Sequence, residues 1–241
     1  MKELSYTNKS SINEIRKRFD SDVERFSNVE TGQQTIIDAP ICLELITSAA
    51  LYVNPRASSL LDIGCGAGNY TLKMLQKIPD MNCTLVDLSM PMLQRAKERV
   101  SAATTGNIEV LQENILEAVL PDNSYDIILA AAVLHHLRGD EEWEKVFTSI
   151  YKSLKPGGSF WVSDMVSHEP ESLNELFKRR YADYLDSLGG EEFRLKVFDY
   201  IEVEDTPRSI CYQIELMKKV GFRYTEVLHK NGCFAAFGAV K

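Results

Sequence analysis

The chain has 241 residues, 44% of them hydrophobic and 26% charged, with 13 Gly and 8 Pro. That apolar content builds a sizeable core, so one large domain with a small appendage is expected, and disorder or a collagen-like repeat is excluded. With 27 Lys and Arg against 35 Asp and Glu, the formal net charge of -8 opposes any general affinity for phosphate backbones or anionic lipid.

The first eight residues, Met1 to Asn8, hold no apolar run with a small-residue cleavage site, and no uncharged apolar stretch approaches about 18 residues. A cytoplasmic location without membrane or nucleic-acid partners is therefore expected, the basic run Arg16-Lys17-Arg18 reading as a solvated helix face. Cys42, Cys65, Cys83, Cys211 and Cys233 are odd in number, far apart and without a C-x-x-C pair. They read as reduced structural thiols, and no metal site is expected.

Asp38 and Pro40 open a helix whose apolar face is read as Ile41, Leu45, Ile46, Ala49 and Val53, ended by Asn54-Pro55. A first strand, residues 59–63, leads through a Gly-rich turn into a helix carrying Leu72 and Leu75, then a second strand, 83–87. Ser89 is an N-cap for the helix with Met92, Leu93, Ala96 and Val100, and residues 108–111 form a third strand. The nearly continuous apolar run 125–131 reads as a strand covered on both faces. A helix with Trp143, Val146, Phe147, Ile150 and Leu154 follows, stopped by Pro156-Gly157-Gly158, and then a fifth strand, 159–164. Residues 167–205 break this alternation with a long helix bearing Tyr181 and Tyr184 and a charged, aromatic stretch, and read as an insertion or lid. A helix at 207–220 and two strands joined by Asn231-Gly232 close the chain as an antiparallel hairpin. The alternation defines an α/β class with a largely parallel sheet and helices on both faces.

The chemistry concentrates at Leu61-Asp62-Ile63-Gly64-Cys65-Gly66-Ala67-Gly68-Asn69, directly after a strand and opening a helix. Glycines there let backbone approach a ligand, and the helix start offers unpaired N–H donors. The dinucleotide pattern G-x-G-x-x-G would need glycine at 69, where Asn69 stands; the pattern here is G-x-G-x-G. Asp87 closes the second strand, where a carboxylate meets ribose hydroxyls, so a nucleoside with a free 2′-OH is implied. The plain alternative for Asp87 is a helix N-terminal acid beside Ser89.

Together, Leu60 to Gly68, the segment Asp87-Leu88-Ser89 with Met92-Leu93, and Leu154-Lys155-Pro156-Gly157-Gly158 resemble the motifs of class I S-adenosylmethionine-dependent methyltransferases. The resemblance spans about residues 38–164 plus the terminal hairpin. It implies a Rossmann-like seven-stranded sheet with the last strand antiparallel, a domain at 38–241 with a lid insertion at about 167–205, and an N-terminal helical lid segment at 1–37. It implies S-adenosylmethionine as cofactor, with Asp62, Gly64, Cys65, Gly66 and Gly68 at the methionine and ribose, Asp87 on the ribose, and Leu88 and Met92 flanking adenine. Asn114 stands where relatives commonly have Asp, so its amide oxygen would meet the adenine amino group beside Ile115, and Ala130 or Ala131 would face the ammonium.

Ala130-Ala131-Ala132-Val133-Leu134-His135-His136-Leu137 resembles the Leu-His-His-Leu segment common in small-molecule members of the family. His135 and Asp164 are candidate catalytic groups, as base or polar contact, against the ordinary reading as loop supports. Phe19, Phe26, Tyr181 and Tyr184 are candidate substrate contacts. Methyl transfer to a small molecule is the function implied, and a homodimer through the insertion is left open. The ending Val220-Gly221-Phe222 through Gly238 is also similar to carboxy-S-adenosylmethionine synthases, and a nucleoside-binding protein without turnover is the third alternative.

Overall fold

A computed structural model describes residue 6 and residues 8–241. Seven strands form one sheet in the order β3-β2-β1-β4-β5-β7-β6: β1 Ser59–Ile63, β2 Asn82–Asp87, β3 Ile108–Gln112, β4 Tyr125–Ala131, β5 Leu154–Met165, β6 Tyr224–Asn231 and β7 Phe234–Val240. The first five pair in parallel, and β7 runs antiparallel to both β5 and β6. The final hairpin turns one residue later than the Asn231-Gly232 signal implies: Asn231 ends β6 paired with Phe234, and Gly232, at φ 58, turns the chain with Cys233.

One sheet face carries α4 Ala39–Val53, α5 Asn69–Lys77 and α6 Met90–Ser101 over a core including Ile46, Met74, Leu85 and Leu93. The other carries α7 Gly139–Ser153 and α9 Ile210–Val220 over Trp143, Phe147, Phe160 and Phe237. Local chemistry sets these boundaries. Ser89 Oγ accepts from Met92 N at the start of α6, whose Met92, Leu93, Ala96 and Val100 stripe is buried as its spacing predicts.

Two details differ from the sequence reading. The inward face of α4 is Cys42, Leu43, Ile46, Thr47 and Ala50, while Ile41 and Val53 are exposed. The stripe contains a threonine whose hydroxyl donates to Leu43 O at 2.7 Å, so a polar residue sits in the core with its bond made. The helix α7 ends at Ser153, before the Pro156-Gly157-Gly158 turn, because Leu154 already pairs with Tyr125 as the first residue of β5. The register then shifts so that Ile127 meets Ser159, and Lys155 to Gly158 bulge between.

The insertion is α8, Glu171–Glu204, broken at Gly190 (φ 75, ψ -174) into two arms. Tyr181, Leu185 and Val197 close a small core with Phe234, while Leu173 and Leu176 face solvent. Three short helices precede α4: α1 Ile12–Ser21, α2 Val23–Ser27 and α3 Val29–Gly32. Ser11 and Glu14 cap the first reciprocally. Arg18 of α1 grips the nearly buried Glu204 of α8 through two guanidinium nitrogens, and Arg95 of α6 meets Glu24 of α2 at 2.5 Å. No described helix is long and apolar enough to cross a membrane.

Candidate functional site

The strand order reverses between β1 and β4, and at such a point the loops beyond the carboxyl ends of the strands part to leave a crevice. A cavity of about 190 Å³ lies there, floored by the turn after β1 and roofed by α1, α2 and α8. A neighbouring cavity of about 120 Å³ shares Gly64, Asp87, Leu88, Val133 and His136 with it and extends to Asn114 and Ile115.

The floor is mostly backbone. Gly64 N and Cys65 N both donate to Val86 O, at 2.8 and 3.1 Å, which ties the turn to β2. Gly64 has φ +66, and a Cβ on it would meet Val133 at 2.6 Å; Gly66 has φ +50, and a Cβ on it would enter open space. Both conformations favour glycine, but only at Gly66 is the room left for something other than protein. Asp87 Oδ2 accepts from Gly66 N at 2.9 Å and Oδ1 from Ser89 N at 2.8 Å, so each oxygen keeps capacity for one more donor. Burial pushes the Asp87 carboxyl up, against the Ser89 and Gly66 N–H groups that favour its charge. Leu88, Met92, Cys65 and Ala131 line the same cavity, and burial holds the Cys65 thiol well above its ordinary range.

Four of the expected residues sit behind this surface. Asp62 is buried under the turn with Thr71 Oγ1 donating to it at 2.6 Å, and burial raises its carboxyl to about 7 against that bond. Gly68, at φ +82, caps α5 and lets Ala96 and Val100 of α6 approach, a Cβ there meeting both at 3.3 Å. Ala130 is fully buried in β4. Tyr184 hands its hydroxyl to Gln34 O at 2.9 Å and stacks on Tyr181 without lining the cavity. Asn114 lines the second cavity, its Oδ1 accepting from Leu116 N at 3.1 Å with one lone pair left over.

The roof is aromatic. Phe19 and Phe26 pack at 5.6 Å, Phe19 meets His136 edge-on at 6.1 Å, and Tyr181 packs on Phe234 at 5.3 Å while donating to Thr35 O. Between roof and floor, His135 Nδ1 bonds Asp164 Oδ1, and Asp164 also accepts from the backbone N–H of Leu134, His135 and Met165. Nε2 of His135 lies 3.7 Å from Asp205 Oδ1. Burial works to lower the His135 pKa, but Asp164 and Asp205 outweigh it and raise the ring to about 9. Burial would raise the Asp205 carboxyl, and His135 and His136 bring it below its ordinary value.

Asp205 and Phe234 also line the cavity and had no role in the sequence reading; Arg18, read there as part of a solvated helix face, lines it too, as do His136 of the Leu-His-His-Leu segment and Tyr200 of the insertion. Asn69, the departure from the dinucleotide pattern, donates to Phe26 O at 2.9 Å and accepts from Arg99, so it ties the roof to the floor. That link had a signal in sequence, an amide where a glycine was the alternative; Asp205 had none, standing at the end of an insertion.

A Gly-rich turn at a switch point, a carboxylate with free lone pairs at the end of the next strand, and open space over Gly66 define a nucleoside-cofactor enzyme of the doubly wound α/β class. Residues 60–158 match the profile of a family described as a methyltransferase domain. The chain is 25% identical over 181 residues to a demethylmenaquinone methyltransferase of Listeria monocytogenes, covering 73% of this chain and 75% of that one. It is 29% identical over 197 residues to a carboxy-S-adenosyl-L-methionine synthase of Vibrio atlanticus, covering 80% of each. Among solved structures, the Burkholderia thailandensis 1,6-didemethyltoxoflavin-N1-methyltransferase superposes with a TM-score of 0.61 at 17% identity, over 96% of this chain and 91% of the other. By this match residues 60–158 are a methyltransferase domain, and the cofactor is S-adenosylmethionine.

Proposed function

We propose that the enzyme transfers a methyl group to a small, largely apolar acceptor held under the roof of α1, α2 and α8. One observation carries this reading: a single cavity has the Gly64–Gly66 turn and Asp87 on one side, Phe19, Phe26, Tyr181 and Phe234 on the other, and His135 with Asp164 between. Gly64, Cys65 and Gly66 would accept the methionine and ribose portions against backbone, and Asp87 would take the ribose hydroxyls on its unused lone pairs. Leu88 and Met92 would flank adenine, with Asn114 and Ile115 at its far edge and the backbone around Ala131 near the ammonium. Asp62 and Gly68 would act from behind, by fixing the turn and by letting α6 close on it.

When bound, S-adenosylmethionine supplies an electrophilic methyl carbon on a sulfonium. What the chain contributes is alignment and exclusion of water. The aromatic roof provides apolar contact; Asn69 ties it to the floor, and the Arg18–Glu204 pair ties its α1 and α8 together. Asp164, fixed by three backbone N–H groups, positions His135 as the polar group that orients the acceptor's reacting atom.

The synthase reading requires a cationic clamp for a carboxylate beside the sulfonium. Arg194 pairs with Asp186 and Glu191 on the outer side of α8, and Arg208 pairs with Asp140 at 2.5 Å; neither lines the cavity. Both placements support a methyl donor. Two of the relatives, a demethylmenaquinone methyltransferase and a 1,6-didemethyltoxoflavin-N1-methyltransferase, support a small-molecule acceptor. Incubation with methyl-labelled cofactor and a panel of phenols, quinols and N-heterocycles should give acceptor-dependent label transfer. A carboxylated nucleoside in the mass spectrum, or demethylation that ignores the acceptor, would contradict the reading. We extend the proposal to a cytoplasmic enzyme without nucleic-acid affinity, and to a dimer through α8, whose exposed Leu173, Leu176 and Leu195 support it; light scattering and filter binding test these.

A further inference from the structure

We infer that His135, His136 and Asp205 form a binding site for one divalent transition-metal ion, with Asp164 as its outer carboxylate. One ligand atom from each of the three residues falls within 4.8 Å of the others. His136 Nδ1 lies 3.2 Å and His135 Nε2 3.7 Å from Asp205 Oδ1. Ligands about 2.0 to 2.2 Å from a tetrahedral ion stand about 3.4 Å apart, so both distances from Asp205 are already close to that spacing.

Hydrogen bonding supplies a second, independent observation. Both ring nitrogens of His136 and Oδ1 of Asp205 are sealed from solvent and have no hydrogen-bond partner among the described residues, and the Asp205 side chain is only 4% exposed. Buried polar atoms are almost always paired, and here two of the unpaired ones, His136 Nδ1 and Asp205 Oδ1, face each other at 3.2 Å. The neighbouring charges do not meet the need. Arg18 is taken up by Glu204, and Lys9 Nζ donates to the backbone carbonyls of Glu202 and Asp205.

The donor set is two imidazoles and one carboxylate, which suits zinc, iron or cobalt and not a hard oxygen-seeking cation. The Asp164 bond to His135 Nδ1 is the arrangement that fixes a metal-ligating imidazole, leaving Nε2 for the ion, which on binding displaces the Nε2 proton and takes over from the ring the contact with the acceptor. His135 and His136 come from the turn after β4 and Asp205 from the end of α8, so the site is complete only with the insertion docked. Both histidines line the cavity, which gives an ion a route in and leaves coordination positions toward it.

The test uses the untagged full-length chain, stripped with chelator and titrated with Zn²⁺ alone by calorimetry and with Co²⁺ by visible absorption. No methyl donor is present, so the outcome is independent of the reading of methyl transfer. The expected result is one ion per chain and a Co²⁺ ligand-field band. Asp164→Asn should weaken Zn²⁺ binding about 10- to 100-fold, and Asp205→Asn and His136→Gln by more than that. His168→Gln and His229→Gln should leave it unchanged. Wild-type Zn²⁺ affinity no tighter than that of Asp205→Asn and His136→Gln would overturn the site and leave water as the bridge. So would a Co²⁺ spectrum identical to the free aqueous ion, a readout that needs no variant to fold.

Discussion

The floor and the roof of the cavity are built in opposite ways. The floor comes from one continuous stretch, β1 through the start of α6, and presents mainly backbone and one carboxylate, Asp87. The roof and the groups beneath it come from α1, α2, the turn after β4 and α8, and present aromatic side chains and ion pairs whose partners lie far apart in sequence, Arg18 and Glu204 by 186 residues. A cofactor surface made of backbone tolerates no side chain at one or two points and is otherwise indifferent to sequence. An acceptor surface made of side chains can be rewritten residue by residue while the sheet stays the same.

The difference can be broken most sharply at Gly66. Valine there must adopt φ +50, which costs about 1 to 3 kcal/mol, and must place its methyl groups in the open space beside Asp87. Binding of S-adenosylhomocysteine should be lost to calorimetry while circular dichroism stays that of the folded chain. Equal loss of fold and binding would make this turn a structural corner only.

On the roof the corresponding break is Arg18→Ala, which strands the nearly buried Glu204. Removing one partner of such a pair costs about 3 kcal/mol, and Arg18→Met with Glu204→Met should recover most of it. Denaturant melts measure the stability, and the acceptor KM should rise more than the cofactor Kd. Equal changes in both constants would show that the roof serves the cofactor as much as the acceptor.

A smaller effect sharpens the account of the floor. Asp62 keeps its proton in the folded state up to about pH 7, whereas an unfolded carboxyl loses it near pH 4. Between those values the folded state binds the extra proton, so this group's contribution to stability falls as pH rises from about 4 through about 7. Asp62→Asn removes that slope. Its melting temperature relative to wild type should therefore improve by a few degrees between pH 5 and pH 8, and parallel curves for the two proteins would contradict the placement of that proton.

The same contrast explains what the sequence made legible. Every strand and the Gly-rich turn could be read because their signals are local: alternation of apolar runs, Ser89 at an N-cap, Asn231-Gly232 at a hairpin. The residues proposed for the cofactor, Gly64, Gly66, Asp87, Leu88 and Met92, fall within 29 positions of one another, and the structure brings them to one surface. Gly68 carries the same glycine signal but answers to the packing of Ala96 and Val100, a distinction that spacing cannot make. His135 with Asp164 could be suspected from the ends of two neighbouring strands. Asp205 and Phe234 could not, because what brings them in is the fold of α8 back over the sheet. The exposed Ile41 and buried Thr47 of α4 show the complementary failure, hydrophobicity standing in for burial.

The central claim is that Asp87 and the turn beside it hold a nucleoside, and one titration tests it most directly. S-adenosylhomocysteine should bind the wild-type chain in the micromolar range, about 7 to 8 kcal/mol. Each charge-assisted bond from a ribose hydroxyl to Asp87 contributes about 1.5 to 3 kcal/mol, so Asp87→Ala should weaken binding at least about tenfold with the fold intact. Unchanged affinity in the folded variant would remove Asp87 from the site and the nucleoside from this crevice.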